Sequence, residues 1–135
     1  MDFPWKLFRE ALETGEEYLP RLREGIRKTG LLFQEGKEGE AVYMFNQLLD
    51  GFEWLASVVG GFDLALKEGL IAAPPGNKIE GAVKSFGARL QELQDAWENT
   101  DYVFIGDLLT YEFVPMVEEW ENIVITTGRS LPAFI

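Results

Sequence analysis

Residues 101–125, DYVFIGDLLTYEFVPMVEEWENIVI, form the most apolar long segment of the chain and the richest in aromatics. Tyr102, Ile105, Leu109, Phe113, Met116, Trp120 and Ile123 follow one another by three or four residues, which is helical spacing. Phe104, Leu108, Tyr111 and Val117 widen the apolar face well beyond the roughly 100° stripe of a surface helix. So wide a face touches several neighbours, and the stretch reads as the central helix of a bundle. Pro115 lies inside it and is expected to bend it. Glu112, between Tyr111 and Phe113, has two readings: a buried carboxyl, or an edge residue paired with an arginine or with solvent.

The neighbours are read outward from that helix. Before it, Glu98–Asn99–Thr100 is a short turn, and Thr100 and Asp101 suit the cap and first turn of the last helix. After it, Gly128 is the expected C-cap, with Pro132 soon beyond. A third helix opens on the capping box Asn77/Glu80 and carries the ladder Val83–Phe86–Leu90–Leu93–Trp97. Ile71–Asn77 (IAAPPGN) is the strongest breaker and divides the chain into halves. Upstream, Ala41–Phe45–Leu48–Phe52–Leu55–Val59–Phe62–Leu66 is a second helical ladder. Gly60–Gly61 falls inside it, and two glycines lose about 2 kcal/mol of helix propensity, so a kink or short break is expected there. QEGKEG at 34–39 is a polar turn.

The first ladder runs Trp5–Phe8–Leu12–Gly15–Leu19–Leu22–Ile26–Thr29–Phe33, after a start at Asp2 and Pro4. Pro20 interrupts it, and Thr14 with Glu17 has the spacing of a second capping box. One kinked helix or two nearly collinear ones would keep the phase. The expectation is a single all-α domain, residues 1–135, folded as an antiparallel up-down-up-down four-helix bundle with kinked first and second helices. Residues 4–70 make one hairpin and 78–127 the other. Leu22, Ile26, Thr29 and Phe33 match Phe86, Leu90, Leu93 and Trp97 at one offset, and Val42, Met44, Leu48 and Leu49 match Tyr102, Phe104, Leu108 and Leu109 at another. A duplicated hairpin and convergent heptad patterning both produce such matches. More than two-thirds helix and no strand are expected.

The chain has 135 residues, is 47% apolar, and contains neither cysteine nor histidine. Disulfides, thiolate chemistry and cysteine-based metal centres are excluded, and a reducing cytoplasm is the expected compartment. The commonest general base and transition-metal ligand is missing as well. A formal charge of −11 argues against nucleic acid. No apolar run reaches the ~18–20 residues of a membrane span, and charges inside MDFPWKLFRE argue against a signal peptide. Residues 39–75 carry Lys67 against Glu40, Asp50, Glu53, Asp63 and Glu68; residues 101–135 carry Arg129 against Asp101, Asp107, Glu112, Glu118, Glu119 and Glu121. Those two segments hold −9 of the −11.

Carboxylates on helices suggest a metal site. The ferritin-like di-iron pattern needs Glu-x-x-His on two helices, which a chain without histidine cannot form. An all-carboxylate Mg²⁺ site of the kind used by helical nucleotide pyrophosphohydrolases would use Glu10, Glu13, Glu92 and Asp95, which have Glu-x-x-Glu and Glu-x-x-Asp spacing. In so acidic a chain a solvated face is the commoner explanation. Arg21, Arg23, Arg27 and Lys28 form a small basic cluster, again most simply a solvated face. Trp54 falls one position before the ladder residue Leu55; with Tyr43 and Val58 it is expected to make an exposed apolar strip for a partner or a second copy.

The motif Leu109-x-Tyr111-Glu112-Phe113-x-Pro115-x-x-Glu118-x-Trp120 resembles the last helix of small, acidic, uncharacterised bacterial helical-bundle proteins. The resemblance implies a helical bundle and a bacterial origin, and brings no activity with it. The expected function is a non-enzymatic protein–protein interaction module with acidic faces (an adaptor, a chaperone-like binder or a small regulatory protein), without cofactor, working through Trp54, Tyr43, Val58, Glu118, Glu119 and Glu121. A protein partner of basic character and a homodimer are the expected assemblies; a Mg²⁺-dependent phosphohydrolase is the alternative.

Overall fold

The apolar ladders turn into helices almost residue for residue. A computed structural model of the chain describes residues 3–71 and 78–132. Helix α1 is Trp5–Gln34, α2 is Glu38–Lys67 and α3 is Lys78–Glu98. The last rod is composite: α4 (Tyr102–Asp107), a π-helical segment (Leu108–Phe113) and α5 (Val114–Ser130) follow without a break. There is no strand among the described residues.

Three helix ends share one solution for their orphan carbonyls. After α1, Gly36 takes φ +74, and the N–H groups of Gly36 and Lys37 return to the carbonyls of Phe33 and Leu32. Gly69 does the same after α2, and Thr100 after α3. This is the Schellman arrangement, in which the residue past the cap must be left-handed. Thr100 is the exception in kind: a β-branched residue at φ 49, where glycine would sit without strain. Asp101 then caps α4, its carboxylate accepting the Phe104 N–H at 3.2 Å.

The first two helices are continuous at the residues expected to kink or break them. Helix α1 passes through Pro20 as one element, and Thr14 lies inside it, opening nothing. The lost Pro20 N–H bond is offset by burial on both sides of it, since Leu19 and Leu22 stay in the core. Helix α2 runs unbroken through Gly60–Gly61. Gly128 does not end the last helix, which continues to Ser130; Leu131 is extended, as a residue before proline prefers. The expected caps at Asp2 and Asn77, and most of the 71–77 breaker, lie outside the described residues.

The π segment answers a question of phase. The most completely buried residues of the last rod are Ile105, Leu109, Phe113, Val117, Trp120 and Val124. Three successive steps of four overrun the ~3.6-residue turn, so a regular helix would let this face drift by about 100° between Ile105 and Val124. One wide turn absorbs one residue and keeps both ends pointing at the core. It also ends beside Pro115, at the start of α5, where a missing N–H is tolerated.

Helix α1 packs on α2 and on the last rod, and α3 packs on α2 and on the same rod, which sets the order round the bundle and leaves α2 diagonal to the rod. Ring pairs bridge that diagonal: Phe62 meets Trp120 edge-on at 5.4 Å, and Phe52 meets Phe113 at 5.5 Å. Leu48, Phe52, Leu109, Phe113 and Met116 are all buried, as their ladders require. Of the off-ladder residues, Leu108 and Val117 are buried, whereas Phe104 and Tyr111 face outward. The match between halves fails at one pair, since Leu49 is exposed and Leu109 is in the core. Helices α1 and α4 approach closely, since a Cβ built on Gly30 would stand 3.3 Å from the Gly106 carbonyl oxygen, and one on Gly106 would stand 3.3 Å from that of Gly30.

Candidate functional site

The expected strip at Trp54 is not continuous. Val58 is buried in the core, Tyr43 is 65% exposed, and Trp54 lies half-buried between them. The Trp54 ring stands edge-on to Tyr18 at 5.0 Å and closes over Gly15 of α1. Trp54 is thus a packing residue of the α1–α2 seam. Burial, then the Asp50 charge, raises the Tyr18 hydroxyl above the ordinary tyrosine range. Tyr43 has other company: with Leu31, Leu32 and Met44 it lines a shallow apolar depression, flanked by Lys28 and Glu40, at the α1–α2 turn.

The three carboxylates expected to act together on α5 also divide. Glu118 and Glu119 are exposed. Glu121 has a side chain only 16% exposed and accepts a 2.7 Å hydrogen bond from Arg23 Nε of α1. That bond, above all, raises the arginine further from deprotonation, with Glu118 adding its charge. Glu121 therefore ties α5 to α1. Much of the basic cluster is engaged too: Arg27 donates to Glu24 at 2.6 Å, which holds the Glu24 carboxyl below the usual range. Glu112 is an edge residue, exposed, with Arg89 of α3 at 3.5 Å.

The four carboxylates of the Mg²⁺ alternative do not converge. Glu10 and Glu13 stand near the start of α1, Glu92 and Asp95 near the end of α3, so the pairs occupy opposite ends of diagonal helices. Glu13 shares its cleft with Arg9 and Arg129. Glu92 accepts from Arg89 at 2.6 Å, and Asp95 accepts from Gln91 at 3.0 Å. No group of three or more acidic side chains that could hold a metal ion occurs among the described residues.

A different surface is assembled where the chain reading placed none. Between α2 and α3, Leu49 and Phe45 face Leu90 and Trp97 across an open groove of about 500 Å³. Phe45 and Trp97 stack at 4.5 Å with rings 13° apart, forming an aromatic floor at one end. Glu53 and Glu98 stand on the rim with Asn46 and Gln94, and no lysine or arginine is among its lining residues. The signal was present in the sequence: Leu49, Glu53 and Ala56 step by four and three, a second stripe beside the core ladder. The core ladder hid it, because Leu48 and Phe52 alone satisfy the pattern of a buried face.

No helix among the described residues is long and apolar enough to cross a membrane. No curated protein and no solved structure matches the chain. One family does, described as "Domain of unknown function (DUF8042)", over residues 10–123. That span takes in most of α1, all of α2 and α3, and the last rod through Ile123, motif around Pro115 included. With most of its core ladders, its π-helical turn and its groove inside the match, the chain belongs to the DUF8042 family.

Proposed function

We propose that the chain is a non-enzymatic protein–protein interaction module, an adaptor or small regulatory protein of a bacterial cytoplasm, whose acidic faces attract a basic partner. One observation carries the reading: the two strongly acidic elements lie diagonally in the bundle, so their outer faces point to opposite sides. Glu40 and Glu53 are exposed on α2, and Glu118 and Glu119 on α5. Fields of this kind raise encounter rates with oppositely charged surfaces more than they raise final affinity. A homodimer through the exposed apolar residues of the α1–α2 turn belongs to the same reading.

The test begins with a partner captured from a lysate of the native host and released by a salt step. Its association rate with the purified chain should fall steeply between about 50 and 500 mM salt, as the screening length shrinks from ~14 to ~4 Å. Replacing Glu118 and Glu119 with glutamine should slow association further while the melting temperature holds. Glu121 is left intact, because its loss would strand Arg23. A partner that binds the double variant at the wild-type rate would assign the charge of α5 to solubility alone.

A further inference from the structure

We infer that the α2–α3 groove is a receptor for one amphipathic helix of a partner, with leucine-like side chains on its inner face and lysine or arginine along its flanks. The inference rests on the reading of the chain as an interaction module and names the chemistry of one contact. Four observations support it.

First, the groove has the dimensions of such an occupant. From Phe45 to Ala56 the α2 wall runs for about 16 Å, three turns of helix, at ~1.5 Å per residue. A helix laid there would present anchors at positions i, i+3 or i+4, and i+7, the usual pattern of helix-in-groove recognition. Second, the floor is apolar and partly open. Leu49 is 44% exposed although it lies between helices, and Leu90 and Trp97 are half-buried against the core. Third, the rim has one sign. Glu53 and Glu98 are exposed carboxylates on facing helices, and the groove's lining contains no cation to answer them. A basic flank on the incoming helix would be answered from both walls.

Fourth, the groove stops where its chemistry changes. Further along the same seam, at the α3 N-terminal end, Lys67 pairs with Asp63 at 2.9 Å and Lys84 with Glu80 at 3.2 Å. That end is already neutralised by its own side chains. The open, acidic stretch is confined to the half of the seam nearer the α3–α4 turn. An acidic or neutral helix would meet repulsion or no complement at that rim, and a second copy of this chain, at −11, would bring more carboxylates to it.

The experiment uses the full chain and a defined probe: an acetylated, amidated peptide of leucine, lysine and alanine, about four helical turns long, with leucines on one face. Two control peptides carry the same composition scrambled out of helical phase, and the same phase with glutamate for lysine. Affinity is read by fluorescence anisotropy of the labelled peptide, and the site by amide and indole chemical-shift changes. The phased basic peptide should bind, both controls should not, and the shifts should centre on Leu49, Glu53, Leu90 and the Trp97 indole.

Leu49→Lys should weaken binding about tenfold or more, since it buries a charge where the anchor should sit. Leu64→Lys makes the same change at a residue equally exposed, 45%, but outside the groove, and should stay within about twofold of wild type. Glu53→Gln with Glu98→Gln should flatten the salt dependence, whereas Glu118→Gln with Glu119→Gln should not. Equal binding to the L49K and L64K proteins, or shifts centred elsewhere, would overturn the groove while leaving the acidic-face reading intact. No binding of the phased peptide at any salt would overturn the groove as well; the captured partner's own salt dependence then decides the wider reading separately.

Discussion

Replacing Gly30 with alanine sets two opposed effects against each other at the α1–α4 crossing. In an open helical position the change should stabilise by up to about 1 kcal/mol, the propensity gap between the two residues. At Gly30 a new Cβ would stand 2.5 Å from Thr110 Oγ1, 3.2 Å from Leu109 Cβ and 3.3 Å from the Gly106 carbonyl oxygen. The first of these is far inside contact distance, and the last is backbone, which cannot rotate away. The two helices lie close along the whole contact, since a Cβ built on Gly106 would likewise stand 3.0 Å from Phe33 Cβ. Overpacking of this kind destabilises by about 1–3 kcal/mol, and two rigid helices place it toward the upper end. The net expectation for Gly30→Ala is a loss of about 1–2 kcal/mol, a fall of roughly 3–6 °C in Tm for a chain of this size. Gly81→Ala, with nothing within 4 Å of its Cβ position, supplies the open-site comparison and should gain. Urea and thermal melts of both variants give the difference directly. Thr110→Ala in the Gly30→Ala background should restore part of the loss, since Thr110 Oγ1 is buried without a hydrogen-bond partner and its removal strands nothing. If Gly30→Ala melts with Gly81→Ala, or if the second substitution restores nothing, the two helices are not in contact there and the reasoning fails.

Leu109→Ala, at a residue with no exposed surface, should destabilise by about 2–5 kcal/mol; a loss under ~1 kcal/mol in urea melts would place the wrong face inward. Thr100→Gly should stabilise by about 1 kcal/mol by relieving a left-handed β-branched residue at the end of α3, and an unchanged melting temperature would show that the Schellman turn is not populated. Tyr18 gives an alkaline prediction. Its folded-state pKa is raised, so its contribution is complete below the ordinary tyrosine pKa and is lost as pH climbs through the raised value. One of the four tyrosines should therefore titrate late in ultraviolet difference spectra, Tyr18→Phe should remove that component, and Asp50→Asn should bring it part of the way back.

The ladders carried most of the fold because burial in this bundle follows a three-four rhythm that sequence displays directly. Every ladder position of α1 from Phe8 to Phe33 is buried, Pro20 notwithstanding. The breaks were less legible, since Pro20 and Gly60–Gly61 weaken a helix only by amounts that tertiary packing readily outweighs. Ends were misplaced for the opposite reason: Gly128 suits a cap, but the chain needs extended geometry only at Leu131, before Pro132. The site was the least legible part. Trp54 was marked by its offset from the ladder, yet Gly15 leaves room for its ring on α1. Glu121 looks like Glu118 and Glu119 in sequence, and only the position of Arg23 across the seam separates it from them. Leu49 was overlooked beside Leu48 because one residue on a helix is about 100° of direction, and that angle has meaning only once α3 is placed.

The wide turn at Leu108–Phe113 makes the last rod respond differently to loss of a codon than to gain of one. Any substitution there leaves the count of residues between Ile105 and Val124 unchanged, and with it the aim of everything downstream. Deleting a single residue there would let the rod run as an uninterrupted α-helix, and the roughly 18 steps left between Ile105 and Val124 make about five whole turns, so the segment beyond Pro115 would keep its aim. Trp120 and Val124 would stay on the face they share with Ile105 and Glu121 would stay beside Arg23, whereas an added residue would rotate all three by about 100°. Across DUF8042 sequences, loss of one residue should accordingly be tolerated in this stretch, with other insertions and deletions gathering in the connections between rods.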